Sequence, residues 1–140
     1  MAGSEVFADT SALYAFVDKN DAQHAVARTA AAKLAHEGRR IVTTDYVIAE
    51  TVNLANARGG SFVAVRVMDL IEQSAGIRVE WVGVERFDRA KGFFRKHSDH
   101  GYSFTDCTSF VVMHEARLGE VLTTDRHFIE AGFEALLPTA

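Results

Sequence analysis

Three short apolar runs each finish on an aspartate: Val6-Phe7-Ala8-Asp9, Ile41-Val42-Thr43-Thr44-Asp45 and Val121-Leu122-Thr123-Thr124-Asp125. Two further acids sit in helix-like surroundings. Glu50 rises from the apolar stripe of Tyr46, Val47 and Leu54, and Asp106 lies in the first turn of a segment opening Ser103-Phe104-Thr105. Carboxylates held a few ångströms apart repel and raise one another's pKa unless a cation neutralises them. A set of acids with no accompanying His or Cys group suits Mg2+, which prefers oxygen ligands and retains waters that can serve as nucleophiles.

For these acids to meet, the elements carrying them must share an edge. Strand-like runs lie near residues 5–8, 40–44, 77–82, 120–123 and 133–136, separated by helix-length segments. Residues 21–37 follow Asn20-Asp21, a candidate cap, and stop at Gly38; residues 45–58 end at Gly59-Gly60. Ser61 is placed to cap a helix over 62–75 ending at Gly76, and two more helices are expected over 84–97 and 104–118, the latter stopping at Gly119. This alternation predicts a right-handed, doubly wound α/β protein: a three-layer α/β/α sandwich around a mainly parallel sheet of about five strands. In such a sheet all strand C-termini open on one edge, so Asp9, Asp45 and Asp125 are carried there together.

Each acid also has a plainer local role. Asp9 can cap the helix that follows it, and Asp45 is read as a cap because the next segment begins directly after it. Asp106 suits the positive end of a helix dipole, Asp125 can cap the short segment His127 to Ala131, and Glu50 can snorkel to the sheet edge or pair with an arginine. The convergence of Asp9, Glu50, Asp106 and Asp125 on one edge is what favours a shared cation.

The bulk composition is that of one compact unit, with a single domain expected over residues 1–140; the Met1–Ser4 stretch is set aside from the fold. The formal net charge of -4 opposes a protein that coats nucleic acid by bulk electrostatics but leaves room for a local site. Five basic residues, Arg86, Arg89, Lys91, Arg95 and Lys96, are interleaved with Phe87, Phe93 and Phe94, either as a solvated helix face over core aromatics or as a rim guiding phosphates. Cys107, the single cysteine, reads as a small buried hydrophobe. The pair His97 and His100 reads as a loop with exposed imidazoles, and His127, beside Asp125, either as a side chain supporting the acids from behind or as a surface residue, though within reach of a substrate. No apolar run is long enough to span a bilayer and no signal-peptide core is evident, so a cytoplasmic location without membrane attachment is expected.

The segments Phe7-Ala8-Asp9-Thr10-Ser11-Ala12-Leu13, Thr44-Asp45-Tyr46-Val47-Ile48-Ala49-Glu50, Ser103-Phe104-Thr105-Asp106 and Leu122-Thr123-Thr124-Asp125-Arg126-His127-Phe128 resemble, in order, the motifs of the PIN-domain nucleases, most closely the VapC-type toxins of bacterial toxin-antitoxin pairs. The resemblance spans nearly the whole chain. It implies that Asp9, Glu50, Asp106 and Asp125 form an acidic Mg2+ site, with Mn2+ as a substitute, and that Thr123 and Ser11 give hydroxyl support. It also implies hydrolysis of RNA phosphodiester bonds, a homodimer and a cognate antitoxin protein that blocks the site. The alternative from another class is a PIN-like module that binds RNA or protein without cleaving. A phosphoaspartate phosphatase is disfavoured because Ser11 stands where its second aspartate would, and a receiver domain because Trp81-Val82-Gly83 ends the third strand; no Gly-rich phosphate loop supports a nucleotide triphosphatase.

Overall fold

A computed structural model describes residues 4–139; Met1 to Gly3 lie outside the described residues. The strands are β1 (Val6–Ala8), β2 (Ile41–Thr44), β3 (Ile77–Glu80), β4 (Glu120–Leu122) and β5 (Glu134–Ala135). The helices are α1 (Thr10–Val17), α2 (His24–His36), α3 (Asp45–Gly59), α4 (Ser61–Gln73), α5 (Gly83–Lys96), α6 (Phe104–Ala116) and the single turn α7 (His127–Glu130). The sheet has the order β3-β2-β1-β4-β5, and every pairing in it is parallel.

Every residue of β1 and β2 is buried. Successive side chains of a strand point to opposite faces, so helices must cover the sheet on both sides, which gives the three-layer arrangement. Two helices are buried almost all round: α1 through Ala12–Val17 and α6 through Cys107–Met113. Their sequences lack a polar face, as expected of helices inside the layers rather than on them. Phe110 of α6 is central, packing edge-on against Tyr102, Phe93 and Phe128 and stacking with Phe133.

The chain leaves β1 toward β2 and β3 on one side and later places β4 and β5 on the other. The reversal therefore falls between β1 and β4, and the C-terminal ends of those strands diverge around a crevice. Asp9 and Asp125 follow these two strands directly or within a few residues. Register reinforces this, since Ala8 pairs with Leu122 and the Asp9 N–H donates to the Leu122 carbonyl at 3.3 Å.

Several expected helix ends differ. The α2 helix starts at His24 after Gln23, while Asp21 instead accepts the Gln23 N–H in a preceding turn. Gly60, not Ser61, precedes α4, with φ +83°, a conformation in which a side chain would be strained. The α6 helix stops at Ala116 because Arg117 enters the left-handed region, two residues before Gly119. Asp45 is not the cap of α3: Thr44 is, accepting the Val47 N–H at 3.1 Å, and the Asp45 carboxylate reaches across to the Val82 N–H at 2.8 Å. That bond fastens the end of β3 to the start of α3, a contact no local pattern specifies.

Candidate active site

The acids gather around a cavity of about 350 Å³ at the β1–β4 crevice. Asp9, Ser11, Glu50, Asp106 and Asp125 all line it; Thr123 lies fully buried beneath Asp9.

Asp9 is the most constrained of them. As cap of α1 its Oδ1 accepts the Ala12 N–H at 3.1 Å and the Ser11 hydroxyl at 2.6 Å, while Oδ2 accepts the Thr123 hydroxyl at 2.6 Å. Burial pushes its carboxyl up to about 7, against the pull of these three donors, and the charge of Asp106 adds to the rise. The hydroxyls are themselves held. Ser11 Oγ accepts the Thr124 N–H at 2.9 Å, and Thr123 Oγ1 accepts the Asp125 N–H at 2.9 Å, so the β4 end and the start of α1 are tied through side chains. The structure thus brings Ser11 and Thr123 to Asp9.

Asp106 closes a capping box with Ser103: its N–H donates to Ser103 Oγ at 3.0 Å, and its Oδ2 accepts the Ser103 N–H at 3.1 Å. The local role and the place in the cavity coexist, since α6 points its N-terminus at the crevice. Burial raises the Asp106 carboxyl above its usual range; the Ser103 N–H opposes this, and the neighbouring Asp125 adds to it. Asp125 Oδ1 accepts the His127 N–H at 2.9 Å in a tight turn opening α7.

Glu50 is held from outside its own helix. Thr10 donates its hydroxyl to Glu50 Oε1 at 2.7 Å, joining α1 to α3. Thr10 is absent from the residues singled out by sequence, although its place beside Asp9 was a signal that could have found it.

Of the two places expected for His127, the structure shows the one against the acids. Its Nδ1 lies 3.2 Å from Asp125 Oδ1 and 3.6 Å from Asp106 Oδ2. One ligand atom from each of Asp106, Asp125 and His127 falls within 4.8 Å of the others, close enough together to share a metal ion. Asp9 and Glu50 line the same cavity outside that set.

Ser109, one turn after Asp106 on α6, also went unrecognised in the sequence. It lines the cavity, is 1 % exposed, and its hydroxyl has no hydrogen-bond partner. A buried hydroxyl without a partner costs about 1–3 kcal/mol. Beside a set of carboxylate oxygens it fits a hydrated hard cation, whose waters would satisfy it.

The other sequence candidates fall away from the cavity. Arg86 is bound by Glu80 and the Val82 and Trp81 carbonyls, Arg89 by Glu115, and Lys91 by Asp88. Three members of the basic stretch are thereby committed to local pairing, which favours the solvated helix face. Its aromatics are not all core, because Phe87 and Phe94 are 36 % and 40 % exposed and flank Phe104. His97 is not a free loop imidazole but stacks on Phe93 at 4.2 Å, and His100 stacks on Tyr102 at 5.0 Å. Cys107 is buried, and burial pushes its thiol up to about 11, as a structural cysteine requires. No helix among the described residues is long and apolar enough to cross a membrane.

The chain is 33% identical over 133 residues to the 23S rRNA-specific endonuclease VapC20 of Mycobacterium tuberculosis, covering 95% of this chain and 98% of that protein. The crystal structure of M. tuberculosis VapC20, described as a sarcin-ricin loop cleaving toxin, superposes with a TM-score of 0.84 at 31% identity, covering 95% of this chain and 99% of the other. FitAcB from Neisseria gonorrhoeae shares the fold alone, with a TM-score of 0.60 at 15% identity over 93% of this chain and 94% of the other. Residues 6–134 match the PIN domain, and the chain belongs to that family.

Proposed function

We propose that this protein is a divalent-metal-dependent endoribonuclease, the toxin component of a toxin-antitoxin pair, acting on ribosomal RNA of the large subunit. The observation that carries the reading is the convergence of Asp9, Glu50, Asp106 and Asp125, from four separate segments, on one cavity that also holds the unpartnered Ser109 hydroxyl. The whole-length similarity to a 23S rRNA-specific endonuclease supports the substrate class.

Asp9, Asp106 and Asp125, with Glu50, would hold Mg2+ or Mn2+; the oxygen-dominated donor set suits either. A bound cation supplies Lewis acidity toward the scissile phosphate and lowers the pKa of water at the site. The chain's own residues do the rest. Glu50, with one oxygen fixed by Thr10, keeps its other oxygen to take a proton from the attacking water. Ser11 and Thr123 keep Asp9 in one orientation, and the Asp9 carboxyl must shed its proton before it can ligate. His127 steadies Asp106 and Asp125 from the α7 side.

The homodimer, the antitoxin that blocks the cavity and the cytoplasmic location remain part of this proposal, supported by the family resemblance. The reading is tested by incubating the purified chain with bacterial ribosomes in Mg2+ or Mn2+ and mapping RNA ends by primer extension. A discrete metal-dependent cut in 23S RNA is expected; intact RNA in both metals would favour the non-cleaving module.

A further inference from the structure

The wall of the acidic cavity contains a single cationic side chain. Carboxylates of Asp9, Asp21, Glu50, Asp106 and Asp125 line it, and Arg58 is the one Lys or Arg among its lining residues. Bare, such a cavity repels RNA. A divalent cation offsets that repulsion at the reacting phosphate but leaves the neighbouring phosphates facing acids.

Arg58 stands eight residues after Glu50 on α3, with Leu54 midway, and all three line the cavity. Four-residue spacing makes them one stripe of the helix. The stripe runs about 12 Å at 1.5 Å per residue. Arg58 thus joins the cavity wall about two helical turns from Glu50, where it can meet a phosphate other than the one beside that acid.

The other arginines near acids are fastened: Arg39 to Glu120, Arg78 to Glu5 and Glu80, Arg86 to Glu80, Arg89 to Glu115. Among the described residues no carboxylate lies within ion-pair distance of Arg58. Its guanidinium instead lies over the Tyr14 ring, 5.3 Å from the centroid, while the Tyr14 hydroxyl donates to Asp18. The Tyr14 side chain steadies the guanidinium through its ring and hydroxyl, and no carboxylate occupies the remaining N–H groups of the fork. A guanidinium fork with no carboxylate partner matches a phosphate with two parallel hydrogen bonds.

We propose that Arg58 is a substrate-positioning residue that grips a phosphate flanking the scissile bond of the RNA; this rests on the ribonuclease reading. The Tyr14 ring acts through it, as the support that aims the guanidinium. Initial rates of ribosomal RNA cleavage in Mg2+ should show Arg58→Gln raising KM about tenfold with kcat within about twofold, the mark of lost binding rather than lost chemistry. Anisotropy of a short fluorescein-labelled single-stranded RNA of mixed sequence, titrated without metal at several salt concentrations, should show the slope of log affinity on log salt reduced by about 0.7. Arg58→Lys should keep most of that slope, and the melting temperature should not move. An Arg58→Gln chain with wild-type KM and salt slope would overturn the assignment, as would a fall in kcat accompanied by a lowered melting temperature, which would mark a purely structural side chain. If the wild-type chain left ribosomal RNA intact, the nuclease reading would fail on its own, while the salt slope would still decide whether Arg58 holds an RNA backbone.

Discussion

Thr123 Oγ1 and Asp9 Oδ2 lie 2.6 Å apart across 114 residues of sequence, and the same Thr123 oxygen accepts the Asp125 N–H. One hydroxyl therefore links the acid after β1 to the acid after β4. Replacing Thr123 by valine keeps the shape and removes both bonds, leaving a buried carboxylate oxygen and an N–H short of a partner. Thr123→Val should cost about 1–3 kcal/mol by urea unfolding. Cleavage should fall about tenfold or more, because supporting partners of metal ligands typically matter by 10–100-fold.

Asp9→Asn and Asp106→Asn replace a charged oxygen with an amide of the same outline. Each should lower metal-dependent cleavage at least a hundredfold while the circular dichroism spectrum stays native. The rise in melting temperature on adding Mn2+ should disappear with the activity, since a ligand stabilises only the state that binds it. Retention of the full Mn2+ shift in both variants would remove these residues from the metal site.

Without metal, stability should fall as pH rises from about 4 to about 7. The Asp9 carboxyl sits near 7 in the folded chain against 3.8 in its unperturbed state, so across that window the folded state holds a proton that the unfolded state has released. Unfolding then releases a proton, and raising the pH favours the unfolded chain. The Asp106 carboxyl, also raised, acts in the same direction. Urea titrations in EDTA at pH 5 and 7.5 should show a smaller loss for Asp9→Asn than for wild type, and saturating Mn2+ should flatten or reverse the trend.

The bond from Thr10 to Glu50 ties two helices at the cavity wall. Thr10→Val should leave the fold in place, with a stability change of about 1 kcal/mol. If the fixed oxygen sets the orientation of Glu50, kcat should fall several-fold with KM little changed.

Phe110, buried and packed against four aromatic rings, anchors the helix that presents Asp106. Truncation to alanine should cost about 3–5 kcal/mol. A measured loss below about 1 kcal/mol would mean the aromatic core can collapse around the vacancy.

Much of this molecule is written locally. An apolar run ending in an acid specifies both a buried strand and a carboxylate at its C-terminal end, and parallel pairing then carries Asp9 and Asp125 to one edge whatever the loops do. Glu50 could be recognised because an acid in an apolar stripe requires a partner, and Asp106 because an acid in the first turn of a helix suits the positive end of its dipole. Periodicity likewise led to five strands in alternation with helices, while the four motifs in order were legible through their resemblance to a known family.

Hydrogen-bond partners and bare polar groups were a different matter. That Thr10 rather than an arginine holds Glu50, that His127 reaches two acids, that Ser109 is left without a partner and that Arg58 lies over the Tyr14 ring with no carboxylate of the described residues at ion-pair distance all depend on how α1, α3, α6 and α7 are rotated against one another. The shifted helix ends at Gln23, Gly60 and Arg117 have the same origin, because packing outweighs the few tenths to one kcal/mol of local cap preference. Sequence spacing resolves position to about a helical turn, whereas a hydrogen bond is made or lost within half an ångström, and only the packed layers supply that resolution.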